Sequence, residues 1–340
     1  MPVPYLERAK KGVQNPSKSV SYMKSKTSPI LSGIEAAISS RFPWGENILD
    51  KDWDLLVVLD TCRVDALEEA KRSGNFMCLD STQIESYYSI GGSTLEWTAQ
   101  TFREPYRESV SDVDYIAGNI LVEEVLEERR TPESVDAAAW SPTKWNTLPK
   151  SSFNKFISVG GIRGMTGPSE GHQDRPHPSA QLVTDLAIEH GRENNPNQLV
   201  VHYIQPHYPY YSAIESSERE ELTNWEVFPF NKLRFGEVSK RDVWDRYLAE
   251  LYSGLKAVDT LLRNYDADRV AITSDHGEAF GEKYLGVRGY KHRVGMIHPK
   301  VRQVPWATTS ATDTGERVPD VNVESSSQSR EEMLESLGYL

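Results

Sequence analysis

Short apolar runs that end in polar residues alternate with amphipathic stretches over most of the chain. The run DLLVVLD at 54–60 is continuous and too short for a free helix, so it predicts a buried parallel strand. Further strands are predicted at NFMCLD from residue 75, DYIAGN at 114–119, NQLVVHY from 197, DRVAITSD from 268 and VRQVPWATT from 301. Several of these strands end in acids or histidines.

Helical spacing appears between the predicted strands. RVDALEEAKRSG predicts a helix closed by Gly74, and STLEWTAQTF a helix opened by Ser93 or Thr94. AQLVTDLAIEHGREN and the long KRDVWDRYLAELYSGLKAVDTLLRNY segment are also helical, and SPILSGIEAAISSRF carries Ile30, Ile34 and Ile38 on one face that predicts docking onto the body. Residues 120–177 show no regular pattern and are expected to be irregular.

This alternation predicts an α/β fold with a mostly parallel central sheet sandwiched by helices. In such sheets the ligand crevice lies beyond the carboxyl ends of the strands. The predicted organisation is a basic arm and docking helix at 1–50, a main domain at 51–310, and a polar linker with a short C-terminal helix at 311–340. That C-terminal helix is SREEMLESLGYL.

The net charge, the apolar runs and the cysteine count exclude some classes of function and location. The chain has 340 residues and a formal net charge of -12, which argues against general nucleic-acid binding because that requires a basic surface. No run of about 18 apolar residues predicts a transmembrane segment, and the N-terminus lacks the apolar core of a secretory signal. With two isolated cysteines as well, we expect a cytoplasmic protein. The basic stretch 1–27 is either a solvated tail or a peripheral contact with an anionic membrane.

Polar residues at the predicted strand ends are the candidate chemistry. Asp60 closes the first strand, Asp275 and His276 close a later one, and Thr94 opens a helix after Gly91 and Gly92. Two carboxylates and an imidazole suit Zn²⁺, Mn²⁺ or Mg²⁺, and a cation there would lower the pKa of a coordinated hydroxyl. A helix N-terminus would also favour an anion next to Thr94.

Plainer roles stay open for the same residues. Asp60 could be a capping acid, Thr94 an ordinary N-cap, and His207 a surface histidine. The SDHG stretch is the more specific signal, because two polar residues stand where the predicted strand meets the crevice. A further histidine, His292, lies in a loop rich in glycine, GVRGYKHRVG.

Taken together, LLVVLDTCRVDAL, GGSTLEWT, HYIQPHYPY, AITSDHGEAFGE, a loop histidine and VPW resemble, in order, the alkaline phosphatase superfamily. The resemblance covers about residues 52–310. It is closest to the sulfatase-like branch, which includes sulfatases, phosphoethanolamine transferases and lipoteichoic acid synthase. It implies a metal-dependent enzyme that acts on phosphate or sulfate esters through a covalent intermediate.

The resemblance also implies a role for each matching residue. Mn²⁺ or Zn²⁺ is expected, with one ion favoured and a second left open. The implied nucleophile is Thr94, and the implied catalytic or anion-contacting histidines are His207 and His292. Arg63 either faces the substrate anion or forms a surface salt bridge. The implied metal ligands are Asp60, Thr94, Asp275 and His276.

Two departures from the sulfatase pattern narrow the chemistry. TLEWT stands where sulfatases proper carry the C/S-x-P-x-R motif, and Thr61 stands where many carry a second strand-end aspartate. The first departure favours threonine chemistry on phosphate esters, by hydrolysis or transfer, with a glycan- or lipid-linked anionic ester as substrate. The second argues against a full calcium-type site and favours a single Mn²⁺ or Zn²⁺ ion. The alternatives are a sulfuric ester hydrolase, an interfacial enzyme recruited by residues 1–27, and a non-catalytic homologue that binds an anionic glycan.

Overall fold

The structure is a computed structural model that describes residues 34–35, 37–128, 145–159, 162–165, 177–215, 219, 221–319 and 321–325. The strands are β1 (Leu55–Leu59), β2 (Ile84–Tyr88), β3 (Val113–Ala117), β4 (Lys155–Ser158), β5 (Ile162–Met165), β6 (Gln198–Tyr203), β7 (Ala267–Thr273), β8 (Phe280–Tyr284), β9 (Val287–Tyr290), β10 (Gln303–Ala311) and β11 (Asn322–Ser325). The α-helices are α1 (Val64–Ser73), α2 (Thr94–Thr101), α3 (Arg107–Ser111), α4 (Ile120–Glu128), α5 (Ala180–Asn194), α6 (Ser212–Glu215), α7 (Asn224–Val227), α8 (Pro229–Phe235), α9 (Lys240–Leu262) and α10 (Pro299–Arg302). Short 3₁₀ helices span Ile48–Asp50, Met77–Leu79, Glu104–Tyr106 and Lys150–Ser152.

A seven-stranded sheet runs through the centre in the order β2-β10-β7-β1-β6-β3-β4. Strands β7, β1, β6, β3 and β4 are mutually parallel, whereas β10 is antiparallel to both β7 and β2. Val57 in β1 pairs with Val201 in β6 and with Ile272 in β7. The predicted fold class, a mostly parallel sheet sandwiched by helices, is therefore confirmed.

Helices cover both faces of the sheet. Leu55, Val57 and Leu59 of β1 pack into an apolar layer with helices α1, α5 and α9, whereas Leu56 and Val58 pack with helices α2 and α4 on the other face. All five are fully buried, which explains the continuous apolar run. Burying each such side chain contributes about 1.5–3 kcal/mol.

Two sequence-based expectations about the body of the protein differ from the structure. NFMCLD forms a 3₁₀ helix instead of a strand, and the Asp259 carboxylate there accepts a hydrogen bond from the Cys78 backbone N–H at 2.7 Å. Residues 120–177 are not wholly irregular, because α4, β4 and β5 lie within them. The apolar positions of ILVEEVLEE have helical spacing, and Val122 and Leu126 are fully buried.

The two ends of the chain also differ from expectation. Residues 34–35 and 37–39 are helical, but Ile34 and Ile38 are 43% and 55% exposed, so these two isoleucines do not dock onto the body as predicted. Gln100 instead donates a hydrogen bond to the carbonyl of buried Ser39. At the other end, Arg317 pairs with Asp185 of α5, which holds residues near 317 on the body instead of in a free linker. Ile30 and the predicted helix at 329–340 lie outside the described residues.

A buried ion pair fixes the start of α2. Arg302 and Glu96 are fully buried, and Arg302 Nη2 donates to Glu96 Oε1 at 2.8 Å. Glu96 Oε2 accepts backbone hydrogen bonds from Gly92 and Gly295, each at 2.8 Å. The Ser93 side chain caps the helix by accepting a hydrogen bond from the Glu96 N–H. The pair therefore ties three separate segments together where Thr94 begins the helix.

We expect Arg302→Met to reduce the free energy of unfolding by about 3–5 kcal/mol, because it leaves the Glu96 carboxylate buried without its cation. Chemical denaturation measures this loss. The matched control is Arg107→Met, which removes an exposed pair with Glu104 and should change stability little. Equal effects of the two substitutions would contradict a role for the buried pair.

Candidate active site

Two strand ends bring the candidate ligands together. Asp60 follows β1, and Asp275 and His276 follow β7, the neighbouring parallel strand. His276 Nε2 lies 3.7 Å from Asp60 Oδ1 and 3.4 Å from Asp275 Oδ2. All three side chains are fully buried. The convergence predicted from the sequence is present.

Thr94 faces this group from the first residue of α2. Its hydroxyl donates to Asp275 Oδ2 at 2.8 Å, and Oγ1 lies 3.4 Å from Asp60 Oδ2 and 3.3 Å from His276 Nε2. The turn before it requires Gly91, since a Cβ there would approach the Trp97 backbone nitrogen to 2.3 Å. The hydroxyl is therefore held between both carboxylates and the imidazole.

The two buried carboxylates respond in opposite ways to their surroundings. Burial and the nearby Asp275 charge raise the pKa of Asp60 well above its usual value. Burial also acts to raise the pKa of Asp275, but His276, His202 and the Thr94 hydroxyl outweigh it and leave that pKa lowered. Both groups can be ionised together only when positive charge lies between them.

The ring of His276 is oriented by its own backbone. Its Nδ1 lies 2.9 Å from the Gly277 carbonyl oxygen, which can only accept a hydrogen bond, so Nδ1 carries a proton. In the neutral ring Nε2 then presents a lone pair toward Asp60 and Asp275. The two carboxylates and the Nε2 lone pair repel one another, and all three would be stabilised by a cation bound between them.

Unpartnered buried atoms in the same place test whether a metal ion fits. Among the residues that the structure describes, Asp60 Oδ1 and His202 Nε2 have no hydrogen-bond partner. Asp60, His202 and Asp275 offer ligand atoms within 4.8 Å of one another, and they form a candidate metal-binding triad. The mixed oxygen and nitrogen donors suit Zn²⁺ or Mn²⁺.

His207 and His292 lie next to this group. The ring centroids of His292 and His276 are 4.3 Å apart, and those of His292 and His207 are 5.3 Å apart. His207 Nδ1 donates to the Tyr208 carbonyl. Burial lowers the pKa of both His207 and His292 well below the usual value. They are therefore largely neutral before an anion binds.

Glu278 supports His292 from behind. Its Oε2 lies 3.0 Å from His292 Nδ1, and both side chains are buried. Burial raises the pKa of Glu278 to about 8. This contact leaves Nε2 as the ring nitrogen through which His292 can meet a ligand.

Arg63 is used differently from the predicted anion contact. Its guanidinium forms a bidentate ion pair with Asp65, donates to Glu282 Oε1 at 2.9 Å, and donates to the Glu278 carbonyl. The ion-pair alternative therefore describes Arg63 better, although the pair is buried on the Arg63 side instead of lying at the surface. These contacts do not support a role in binding the substrate anion.

Residues that the sequence analysis did not single out complete the surroundings. His202 lies inside β6, and its Nδ1 lies 2.7 Å from the Tyr115 hydroxyl. A histidine in an otherwise apolar strand was the feature of the sequence that could have identified it. Asn119 donates to Asp60 Oδ2 at 2.6 Å from the end of β3. Thr61 has a φ of 65°, and its N–H donates to Asp275 Oδ1 at 3.2 Å. A β-branched residue rarely adopts that backbone conformation, and such strain is typical of functional sites.

Comparison with known proteins gives structural matches alone. No protein-family model matches the chain, and no curated protein matches it. The C-terminal periplasmic domain of phosphoethanolamine transferase EptC from Campylobacter jejuni is 16% identical over 75% of this chain and 78% of that chain, with a TM-score of 0.45. The corresponding Escherichia coli domain in complex with Zn is 10% identical over 81% and 78%, with a TM-score of 0.45. A 2-O GAG sulfatase is 11% identical over 78% and 65%, with a TM-score of 0.45.

These solved structures come from the groups that the sequence motifs resemble. Their TM-scores are below 0.5, so any functional proposal depends on the side-chain geometry of this chain. Two of the descriptions name periplasmic domains, whereas the sequence led us to expect a cytoplasmic protein, and that location stays a prediction. Among the described helices, none has the length and apolar character needed to cross a bilayer.

We expect Asp60→Asn to separate metal binding from folding. The amide can keep the contacts with Asn119 and Thr94 while it removes the repulsion from Asp275, so stability in EDTA should be unchanged or higher. Wild-type protein should gain about 2.7 kcal/mol from Zn²⁺ or Mn²⁺ at 100 times its dissociation constant, and the variant should lose most of this gain. Thermal unfolding with and without metal, together with elemental analysis, measures both effects.

The control for this experiment is Asp114→Asn. Asp114 is also buried, but it pairs with His190 at 2.6 Å, outside the Asp60 group. This variant should lose stability and keep the gain from added metal. A full metal-dependent gain in Asp60→Asn would contradict the proposed ligand set.

Proposed function

We propose that this protein is a metal-dependent enzyme that transfers or hydrolyses phosphate esters, with Thr94 as the nucleophile. The observation that carries the proposal is the placement of the Thr94 hydroxyl. It lies at a helix N-terminus within 3.4 Å of Asp60, Asp275 and His276. A threonine that only capped the helix would not need two buried carboxylates and an imidazole around its oxygen.

The ligand set of the proposal consists of Asp60, Asp275, His276 and Thr94, with His202 as a further donor. A divalent cation bound by these residues would neutralise the two carboxylates, lower the pKa of the hydroxyl and polarise the ester. One ion is the simpler arrangement. A second ion, with His292 among its ligands, is the alternative to this arrangement.

In the proposed first step, Thr94 Oγ1 forms a bond to phosphorus and the bond to the leaving oxygen breaks. Asp275 accepts the hydrogen bond from the hydroxyl and can take its proton. Positioning and charge stabilisation supply most of the rate acceleration in such transfers. A covalent phosphothreonine results, and water or an acceptor alcohol then releases the phosphoryl group.

His207 and His292 are proposed to act on the ester and its leaving group. His292 lies next to His276, and His207 lies next to His292. An anionic ester would raise the lowered pKa values of both histidines. A protonated imidazole could then give its proton to the leaving oxygen. Glu278 is a positioning residue in this scheme, because it contacts His292 and not the reacting atoms.

Phosphate esters are favoured over sulfate esters for a specific reason. TLEWT lacks the cysteine or serine, the proline and the arginine of the motif that sulfatases proper convert to formylglycine. The substrate class proposed is an anionic ester that is glycan- or lipid-linked. An unmodified threonine acting on sulfate esters is the second candidate, and a non-catalytic homologue that binds an anionic glycan is the third.

Thr94→Ala should abolish turnover of aryl phosphate mono- or diesters in the presence of Mn²⁺ or Zn²⁺. Loss of a covalent nucleophile commonly costs at least about a thousandfold in kcat. Thr94→Ser should keep measurable activity, since it preserves the hydroxyl. The assay is release of the aryl alcohol, run in parallel on the matched aryl sulfate.

Thermal unfolding of each variant controls for loss of fold. Unchanged turnover in Thr94→Ala would reject the nucleophile assignment. Turnover of the aryl sulfate alone would favour the sulfate candidate, and no turnover of any ester by metal-loaded wild type would favour the non-catalytic one.

Glu278→Ala should lower kcat by about 10- to 100-fold with a smaller change in KM, because His292 loses the contact that orients its ring. Glu278→Gln should recover part of the activity, since the amide can keep that contact. Glu282→Gln is the matched control, because Glu282 pairs with Arg63 and Lys240 and contacts no histidine of the site. Equal kcat values for the alanine and glutamine variants would contradict orientation by hydrogen bonding.

A further inference from the structure

A two-stranded hairpin projects from the loop that carries the candidate active-site residues. Strands β8 and β9 lie between His276 and His292 in sequence, and the rings of these histidines are 4.3 Å apart. Phe280, at the base of the hairpin, is buried and pairs with Tyr290. The base of the hairpin therefore borders the site, while its tip is exposed to solvent.

The tip of the hairpin exposes apolar side chains at a conformational cost. Lys283 pairs with Arg288 and Tyr284 with Val287, so Leu285 and Gly286 form a two-residue turn. Both turn residues have positive φ, 49° at Leu285 and 79° at Gly286. Such turns favour asparagine or aspartate before the glycine, and a leucine there is unfavourable. Leu285 is also 77% exposed and Val287 66% exposed, so burial does not offset this cost.

Two like charges next to the tip also destabilise the hairpin when nothing is bound to it. Lys283 and Arg288 stand directly opposite each other, and like charges in that position destabilise a strand pair. Both are exposed, and neither has an acidic ion-pair partner in the part of the chain that the structure describes. Residues 283–293 contain Lys283, Arg288, Lys291 and Arg293 but no acid, although the whole chain carries a net charge of -12. Arg293 pairs with Glu35, so the positive charge available to a ligand at the tip comes from the exposed Lys283 and Arg288.

We infer that the β8–β9 hairpin is a membrane-docking element that binds an anionic lipid bilayer. Leu285 and Val287 would enter the interfacial region of the bilayer, while Lys283 and Arg288 would contact the lipid phosphates. A bilayer offers both partners at once, since basic residues next to exposed apolar ones are typical of interfacial binding. Two apolar side chains on a narrow turn are too small a core for a stable protein interface, which usually buries about 800 Å² on each partner.

Docking in this way would set the candidate site close to the membrane surface. The hairpin is short, and its two ends continue into Ala279 and His292, where the Lys291 N–H donates to the Ala279 carbonyl at 2.9 Å. An ester in a lipid head group would then lie near Thr94. The binding itself does not depend on turnover, so its test is separate from the test of the proposed function.

The test is sedimentation of the full-length protein with vesicles of phosphatidylglycerol and phosphatidylcholine, compared with vesicles of phosphatidylcholine alone. Wild type should bind the anionic vesicles and bind less at high salt. The Leu285→Asn and Val287→Asn double variant should bind at least about tenfold more weakly, since two apolar side chains no longer enter the interface. Asparagine suits the positive φ at position 285, and position 287 is exposed at the start of β9, so this variant should keep the fold.

Two further variants separate the hairpin from other surfaces. Lys283→Glu can form an ion pair with Arg288 across the hairpin and should weaken binding to anionic vesicles without loss of stability. Val318→Asn alters a residue that is 83% exposed elsewhere and should bind like wild type. Absence of wild-type binding to anionic vesicles would overturn the proposal and favour a protein partner. Equal binding by the double variant and wild type would also overturn it, because another segment such as residues 1–27 would then carry the interaction.

Discussion

Two carboxylates buried side by side set the central constraint of this protein. Asp60 and Asp275 come from adjacent parallel strands and face one histidine and one threonine at a site without solvent exposure. Removing such charges from water costs several kcal/mol each unless opposite charge compensates. The opposite pKa shifts of the two groups express the same conflict. The surrounding structure therefore makes sense as a frame for a cation and an anionic ligand.

The residues around the site are positioned by two features that cost free energy: a fully buried ion pair and a strained backbone conformation. The Glu96–Arg302 pair is fully buried and holds the glycine turn from which Thr94 starts its helix. Thr61 adopts a left-handed backbone conformation that directs its N–H to Asp275. Tyr247 of α9 donates to the Thr61 carbonyl at 2.8 Å and so links the long helix to the strained residue. Rigid support of this kind maintains reacting groups in position before a substrate arrives.

The candidate site and the hairpin belong to the same segment of the chain, so binding through the hairpin would place the site next to the bound surface. The sequence runs from Asp275 through Glu278 into β8, and returns from β9 to His292. The acidic group that suits a metal ion therefore lies at the base of a segment that is basic and apolar at its tip. Because the basic residues are concentrated at the hairpin tip, a chain with a strongly negative net charge can still bind an anionic surface through the hairpin.

The sequence alone determined the fold class and the position of the chemistry along the chain. Continuous apolar runs such as 54–60 can be buried only in a sheet covered on both faces, and polar residues after those runs must lie at the strand ends. The roles of interior and supporting residues required the tertiary structure. His202 looked like part of an apolar strand, and Arg63 looked able to face an anion, because one-dimensional spacing does not show which side chains meet. Strand order placed Asp60 beside Asp275, and three-dimensional packing gave Arg63 its carboxylate partners, since contacts between residues more than 200 positions apart are decided only when the chain folds.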